Sequence, residues 1–443
     1  MAAINSDFFM EAQPSELSLF DLPPTQTAVE KIYYQQVLPI SQLSDSSPIQ
    51  FTVTGQNGME FIDTRNSFMS IKARIVKGDG SDIQAAEYVG PVNLLAHALF
   101  DQVDVTIQGK FITSATGHYP YKAMIQTLLK YGNDAKTSQL TNQMFFKDTP
   151  GFIDSDDAKS GSGKNLGLIT RADLFSNSKL VHMIAPIMHD AFQLDRYLLN
   201  QTAVNVKFYR SKPEFYLTSD TVSPTYKIKI EEMVLHICKI QVNPAVIVAQ
   251  NRALEKTNAK YPFIKTEVRM SAISQGQVNF NMDNVCQGIK PNKIVLGFVK
   301  SRSVAGTYST SPWNFQGFDL SELNVSIDGI PAHGNPIRVS FNQTTGTDTA
   351  EAFHWLTSSA GKWVSNEGNQ LTPDDLANGY ALYAFDLEPS FQDRNYLSLI
   401  KQGIVRVSAN FTKPLPTTVC CVIYTEGVGY FEVNQSRDIL VYE

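Results

Sequence analysis

The side chains able to do chemistry are few and scattered. The chain has seven histidines (His97, His118, His182, His189, His236, His333 and His354) and four cysteines (Cys238, Cys286, Cys420 and Cys421) among 443 residues. A metal site needs such ligands at short, repeated spacings. His182 and His189 flank a strand-like run seven residues apart and cannot form a two-ligand face there. His236 and Cys238 share a strand face in "EMVLHICKI"; that pair would hold a metal weakly, and a packed strand face is the better reading. Cys420 and Cys421 are adjacent in the alternating run "TTVCCVIYTE", which sends them to opposite faces. The spacing fits neither a disulfide framework nor a metal site, and a reducing compartment is expected.

Two loops imitate functional motifs and fail on their residues. "SGSGKN" (160–165) has the look of a phosphate loop. The first glycine of that motif would fall at Ala158 and its final hydroxyl residue at Asn165. "DSDDAKSGSG" (154–163) has three carboxylates, yet lacks the acid, glycine and closing glutamate of a calcium loop. No Gly-x-Ser-x-Gly elbow, His-Glu-x-x-His helix or dinucleotide fingerprint occurs. We therefore expect no enzyme, no cofactor and no metal.

The elements around these residues are mostly strands. "DQVDVTIQGK" sends Val103, Val105 and Ile107 one way and Asp104, Thr106 and Gln108 the other, then turns at Gly109. Period two is the mark of a strand buried on one face. It recurs in "IQFTVTG", "SFMSIKARIVKG", at 179–187, 203–210 and 226–240, and from "IKTEVRMSAI" through "VGYFEV". One segment has helical spacing, "PYKAMIQTLLKYG", with Ala123, Ile125, Leu128 and Leu129 on one side. Residues 132–178 and about 341–379 read as long excursions from a sheet, the second with a helical turn at "EAFHWLTSS".

The chain also repeats itself. "FQLDRYLLNQTAVNVKFYRSKP" (192–213) and "FQDRNYLSLIKQGIVRVSANFTKP" (391–414) share their opening Phe-Gln, a Tyr-Leu, a Val-x-Val and a closing Lys-Pro. "VDVTIQG" (103–109) matches "LNVSIDG" (323–329) in the same order. Two matches in one order imply a tandem duplication. The expected fold is all-β: two tandem eight-stranded antiparallel barrels of the jelly-roll kind, with long loops and a few short helices. An immunoglobulin-like sandwich is shorter and lacks such excursions. The boundaries read as an N-terminal arm at 1–40, a first jelly roll at 41–242, a linker with a short helix at 243–262 and a second jelly roll at 263–443.

Composition narrows function. Hydrophobic residues make up 43% and charged residues 18%, which suits a packed globular chain. Aromatics reach 11%, which leans toward sheets and large interfaces. A net charge of −6 with no basic arm argues against specific nucleic-acid binding. No apolar run is long enough to span a membrane, and "MAAINSDFFMEAQ" is no secretion signal. The five Asn-x-Ser/Thr sequons, two of them inside expected strands, read as chance. In the arm, "SLFDLPPTQT" carries Leu19, Phe20 and Leu22 before Pro23 and Pro24, an apolar cluster with no local partner. We expect Phe20, Leu22, Pro23 and Pro24 to dock on a neighbouring surface, either of an adjacent molecule or of the chain's own first barrel.

Read as strings, "LFDLPPTQTAVEKIYYQQVLPISQLSDSSPIQFTVTGQNGMEFIDT" (19–64), "VGPVNLLAHALFDQVDVTIQGK" (89–110), "YPYKAMIQTLLKYG" (119–132), "AKYPFIKTEVR" (259–269) and "YALYAFDLEPS" (380–390) resemble the major capsid (hexon-like) proteins of the Polinton/Maverick and adintovirus group. The resemblance runs over nearly the whole chain. "SPWNF" (311–315) departs from it, where Asn-Pro-Phe would open the segment. The resemblance implies a double jelly roll and homotrimeric, pseudo-hexagonal capsomers in an icosahedral shell around double-stranded DNA. It also implies a virion location and, as partners, a penton-type minor capsid protein, a maturation protease and a packaging ATPase. The alternative from another class is a cytosolic two-domain jelly-roll carbohydrate-binding protein.

Overall fold

The computed structural model describes residues 13–20, 22–55, 58–84, 87–113, 117–159, 163–220, 225–342, 346–388 and 396–442. Residues 160–162 of the glycine-rich loop and Phe391-Gln392, which open the second repeat phrase, lie outside them.

The first half supplies eight main strands: β1 (Val29–Val37), β2 (Ile49–Val53), β3 (Glu60–Lys77), β4 (Phe100–Ile107), β5 (Lys110–Phe111), β6 (Val181–Pro186), β7 (Val204–Arg210) and β8 (Tyr226–Val242). The second half supplies β9 (Ala259–Ile273), β10 (Asn279–Met282), β11 (Lys293–Lys300), β12 (Leu320–Ile327), β13 (Ile330–Pro331), β14 (Leu382–Asp386), β15 (Val405–Phe411) and β16 (Val419–Val433). A final strand, β17 (Ile439–Tyr442), pairs with β16.

Sheet order shows the duplication directly. The first half pairs β1-β8-β3-β6 in one sheet and β2-β7-β4-β5 in the other. The second half pairs β9-β16-β11-β14 and β10-β15-β12-β13. Each strand of one half has its counterpart eight strands later, in the same place and with antiparallel neighbours. The chain is a double jelly roll.

The two sequence matches meet on one rung of this ladder. "VDVTIQG" is β4 and its hairpin turn, and it pairs with β7 through Val105 opposite Val206. Its counterpart β12 pairs with β15 through Val325 opposite Val407. The offsets of 220 and 201 residues therefore converge on equivalent pairs. Val204, Val206 and Phe208 face the first core, and Val405, Val407 and Ala409 face the second; all six are buried. The closing glycines have a backbone reason. Gln108-Gly109 and Asp328-Gly329 are two-residue hairpin turns with φ of 49° and 74° and of 50° and 87°. Positive φ at both central positions matches the twist of the flanking strands, and glycine adopts it without strain.

Helices fill the excursions. The helical spacing noted above gives α1 (Tyr119–Lys130), in which every residue but the last is buried. The others of note are α2 (Leu166–Phe175), α3 (Pro244–Leu254), α4 (Ala350–Ser359) and α5 (Pro373–Ala377). Asn165, which breaks the phosphate-loop pattern, caps α2 by accepting from the Leu168 amide at 3.3 Å. One continuous apolar cluster runs through both barrels.

Two segments differ from the expected boundaries. Residues 29–37, placed in the arm, form edge strand β1 against β8. Only Val29, Tyr33 and Val37 of β1 are even half-buried, so the sequence shows no period-two alternation. The second jelly roll also starts earlier, because β9 begins at Ala259 inside the expected linker, directly after α3.

Candidate assembly surfaces

Two surfaces dominate the molecule: a buried seam that locks one barrel to the other, and a set of exposed apolar residues that the chain itself leaves uncovered.

The seam is built around α1. Its Tyr121 ring meets Trp313 from the second half edge-on, with centroids 5.2 Å apart. Trp313 Nε1 donates back to Asn93 O at 2.9 Å. At the next residue, Lys122 Nζ donates to Asp190 Oδ1 at 2.6 Å. Asp190 has no exposed surface and also accepts from the Thr266 amide at 2.9 Å and the Thr266 hydroxyl at 2.5 Å. Thr266 lies on β9, so this carboxylate ties two elements of the first half to the first strand of the second. Burial alone would raise its pKa; Lys122, His189 and Thr266 outweigh that and hold it below the usual carboxylate range. Gln126 Nε2 donates to the Tyr424 hydroxyl on β16 at 3.1 Å.

Beside α1, the segment between β6 and β7 also locks onto β9. The Tyr261 hydroxyl donates to Tyr197 O at 3.0 Å and accepts from the Leu199 amide at 3.1 Å. Arg437 closes this end by donating to Asn200 O at 3.0 Å and Asn200 Oδ1 at 2.8 Å. At the excursions, the buried pair Arg171–Asp148 stands at 2.7 Å. The Tyr380 hydroxyl from the second half donates to Asp148 O at 2.9 Å. Lys147 reaches Asp375 of α5 at 2.8 Å. Lys136 bonds Leu128 O and Asn369 O, and burial, with Lys147 and Lys362 nearby, pushes its ammonium down to about 7. Hydrogen bonds, ion pairs and one shared core join the two barrels along this seam.

The histidines are structural parts, not a cluster. His97 is wholly buried between the Tyr119 hydroxyl at 2.8 Å and Gln143 Oε1 at 3.0 Å. Gln143 Oε1 accepts, which places the imidazole proton on Nε2 and leaves Nδ1 to accept from Tyr119. Burial pushes His97 down to about 4, and burial with Lys122 beside it pushes His189 down to about 3. His236 stacks on Phe68 at 4.6 Å, and His333 lies between Trp355 and Phe385. His182 bonds Ser70 at 2.8 Å. Among the described residues no group of three His, Cys, Asp or Glu side chains could hold a metal ion.

The uncovered surface begins in the arm. Phe20 is 96% and Leu22 90% exposed, and Leu19, Pro23 and Pro24 stand open beside them. It continues on β1 at Ile32 and Tyr34, in the segment before β15 at Leu397, Leu399, Ile400 and Ile404, and after α4 at Trp363 and Val364. The arm could be read from sequence as an apolar cluster without a partner. The other patches could not, because their residues sit in ordinary apolar runs whose exposure only packing decides.

No family model matches the chain. A Caenorhabditis elegans protein of uncharacterised role is 22% identical over 432 residues, which is 95% of this chain and 99% of that one. Among solved structures, the chain is similar to one in the Sputnik virophage at a TM-score of 0.65 and 12% identity, covering 98% of this chain and 93% of that one. It is similar to the faustovirus major capsid protein at a TM-score of 0.55 and 11% identity, covering 93% and 92%. It is similar to the mavirus major capsid protein at a TM-score of 0.51 and 12% identity, covering 100% and 97%. These likenesses establish a fold shared with double jelly-roll capsid proteins over essentially the full length of both partners.

Proposed function

We propose that the chain is a major capsid protein that builds an icosahedral shell around double-stranded DNA from homotrimeric, pseudo-hexagonal capsomers. The observation that carries this is the duplicated barrel locked by a buried seam, with apolar surface left over on the outside. A two-barrel block repeated three times offers six similar sides to six neighbours, and the two barrels can diverge for different contacts. The full-length likeness in fold to capsid chains supports the reading, and the resemblance of the quoted sequence strings is what suggests the Polinton/Maverick–adintovirus group. The role is structural, without catalysis, and its place is the virion. A penton-type protein fills the five-fold positions that a pseudo-hexagonal block cannot. In this reading Phe20, Leu22, Pro23 and Pro24 dock on an adjacent capsomer.

The test is expression of the chain alone, followed by light scattering and negative-stain microscopy. The expected result is a particle of three times 49.2 kDa that forms shells or lattices. Deleting residues 1–30 should leave the trimer and abolish the shells. A monomer that binds glycans would replace this reading with the carbohydrate-binding one, and unchanged shells after the deletion would end the role given to the arm.

A further inference from the structure

The second excursion, between β13 and β14, folds around a cleft of about 440 Å³ that neither the seam nor the arm uses. That size falls within the range of small-molecule sites. Part of its wall is aromatic. Phe353 of α4 is half-buried there, and Trp363 just beyond α4 is 55% exposed. The His354 ring stands edge-on to the Trp363 indole with centroids 4.3 Å apart, which fixes the orientation of that broad apolar face.

Much of the remaining wall is polar, and two of its atoms are unused. Asn369 is 2% exposed; its Oδ1 accepts from the Leu371 amide at 3.3 Å, while its Nδ2 has no hydrogen-bond partner among the described residues. Gln370 Oε1 is buried and equally unpartnered. Gln370 also stands at φ 64°, in the left-handed region that a non-glycine residue rarely takes. Lys147 Nζ donates to Gln370 O at 2.8 Å and Lys136 Nζ to Asn369 O at 2.6 Å, and the two hold this turn in place. Folds pair nearly all of their buried polar atoms, because an unpaired one costs stability. Here one free donor and one free acceptor sit on consecutive residues of a cleft wall.

Charge gives the ligand a sign. Lys362 lines the cleft, and among the described residues no carboxylate does. Its partner Glu367, at 3.0 Å, is 75% exposed, so water competes for that pair. Behind the wall Lys136 is buried against carbonyls, with Lys147 and Lys362 near it.

We propose that this cleft binds an acidic saccharide: the C–H face of a sugar ring lies on Trp363, its hydroxyls pair with Asn369 Nδ2 and Gln370 Oε1, and its carboxylate meets Lys362. A sugar ring is apolar on its face and polar at its rim, as the cleft is aromatic in one part and polar around it. A fatty acyl chain would leave the two amide atoms unpaired, and a bare phosphate would leave the indole uncovered. The inference goes beyond the capsomer reading and does not depend on it.

The test titrates the full-length protein with sodium glucuronate, with glucose and with acetate, read by saturation-transfer NMR. Glucuronate should bind about 10-fold more tightly than glucose, and acetate, which has the charge without the ring, more weakly than either. Trp363→Ala should weaken glucuronate about 10-fold. Lys362→Gln should bring glucuronate down to the level of glucose and leave glucose unchanged. Trp363 is exposed, so its variant should melt near the parent temperature. No transfer to glucuronate, equal affinity for glucose and glucuronate, or glucuronate binding unchanged in both folded variants overturns the proposal and leaves the capsomer reading in place. A parent chain that is monomeric at every concentration removes the capsomer reading and leaves the cleft as described.

Discussion

Asp190→Ala is expected to destabilise the protein by about 3–5 kcal/mol, because it leaves a buried cation without its partner. The side chain has no exposed surface and satisfies three donors: Lys122 Nζ, the Thr266 amide and the Thr266 hydroxyl. Alanine removes all three acceptor contacts and leaves a small void. Water would have to enter the seam to resolvate them, against the packing of α1 on the second barrel. Urea unfolding at pH 7.5 should show the midpoint falling without a large change in slope. Lys122→Met alone should cost less, since Asp190 keeps both Thr266 donors. Lys122→Met combined with Asp190→Ala should then cost less than the sum of the single changes, because the two groups are in direct contact. A loss within ~0.5 kcal/mol for Asp190→Ala would place the carboxylate in contact with bulk water and dissolve the seam as described.

Acid should weaken the same region for a second reason. His97 is held neutral by burial, at about 4 in the folded chain against about 6.5 when unfolded. Between those values the unfolded chain binds a proton that the folded chain refuses. Stability is therefore full above about pH 6.5 and falls as pH drops towards 4. At pH 5 the loss from His97 comes to about 2 kcal/mol. His189, lowered to about 3, acts in the same direction over a window reaching further into acid. The depressed carboxyl of Asp190 adds to this as pH falls into and below the ordinary carboxylate range, where the unfolded chain takes up a proton that the folded chain refuses. The urea midpoint should accordingly fall from pH 7.5 to pH 5.0. His97→Gln, which keeps a polar group between Tyr119 and Gln143 but cannot titrate there, should flatten that slope whatever it costs at pH 7.5. A midpoint independent of pH over this range in the parent chain would show both imidazoles to be open to protonation.

Particular elements show which parts of the molecule were legible in the sequence. Strands β4, β7, β12 and β15 were, since each buries one face and wets the other, and alternation follows. Their equivalence was legible too, from two phrases at different offsets that the structure brings onto matching rungs. Strand β1 was not. An edge strand whose outward face is bare inside its own chain needs no alternating pattern, and "VEKIYYQQV" has none. The seam was equally hidden. Lys122, Asp190 and Thr266 meet across separations of 68 and 76 residues, and each alone reads as an ordinary surface residue.

The sequence by itself determined what neighbouring residues decide: strand period, hairpin chirality at Gly109 and Gly329, helix spacing in α1, and a fold written twice. Tertiary structure decided what depends on distant chain. It made Leu198 core and Leu397 surface, though both follow a tyrosine in the same repeated phrase. The physical reason is that backbone conformation is set by local sterics and hydrogen bonding, while burial depends on which other surface arrives. Leu198 pairs with Ile62 of its own barrel, and its neighbours Tyr197 and Leu199 bond Tyr261 of the second, while Leu397 stands exposed.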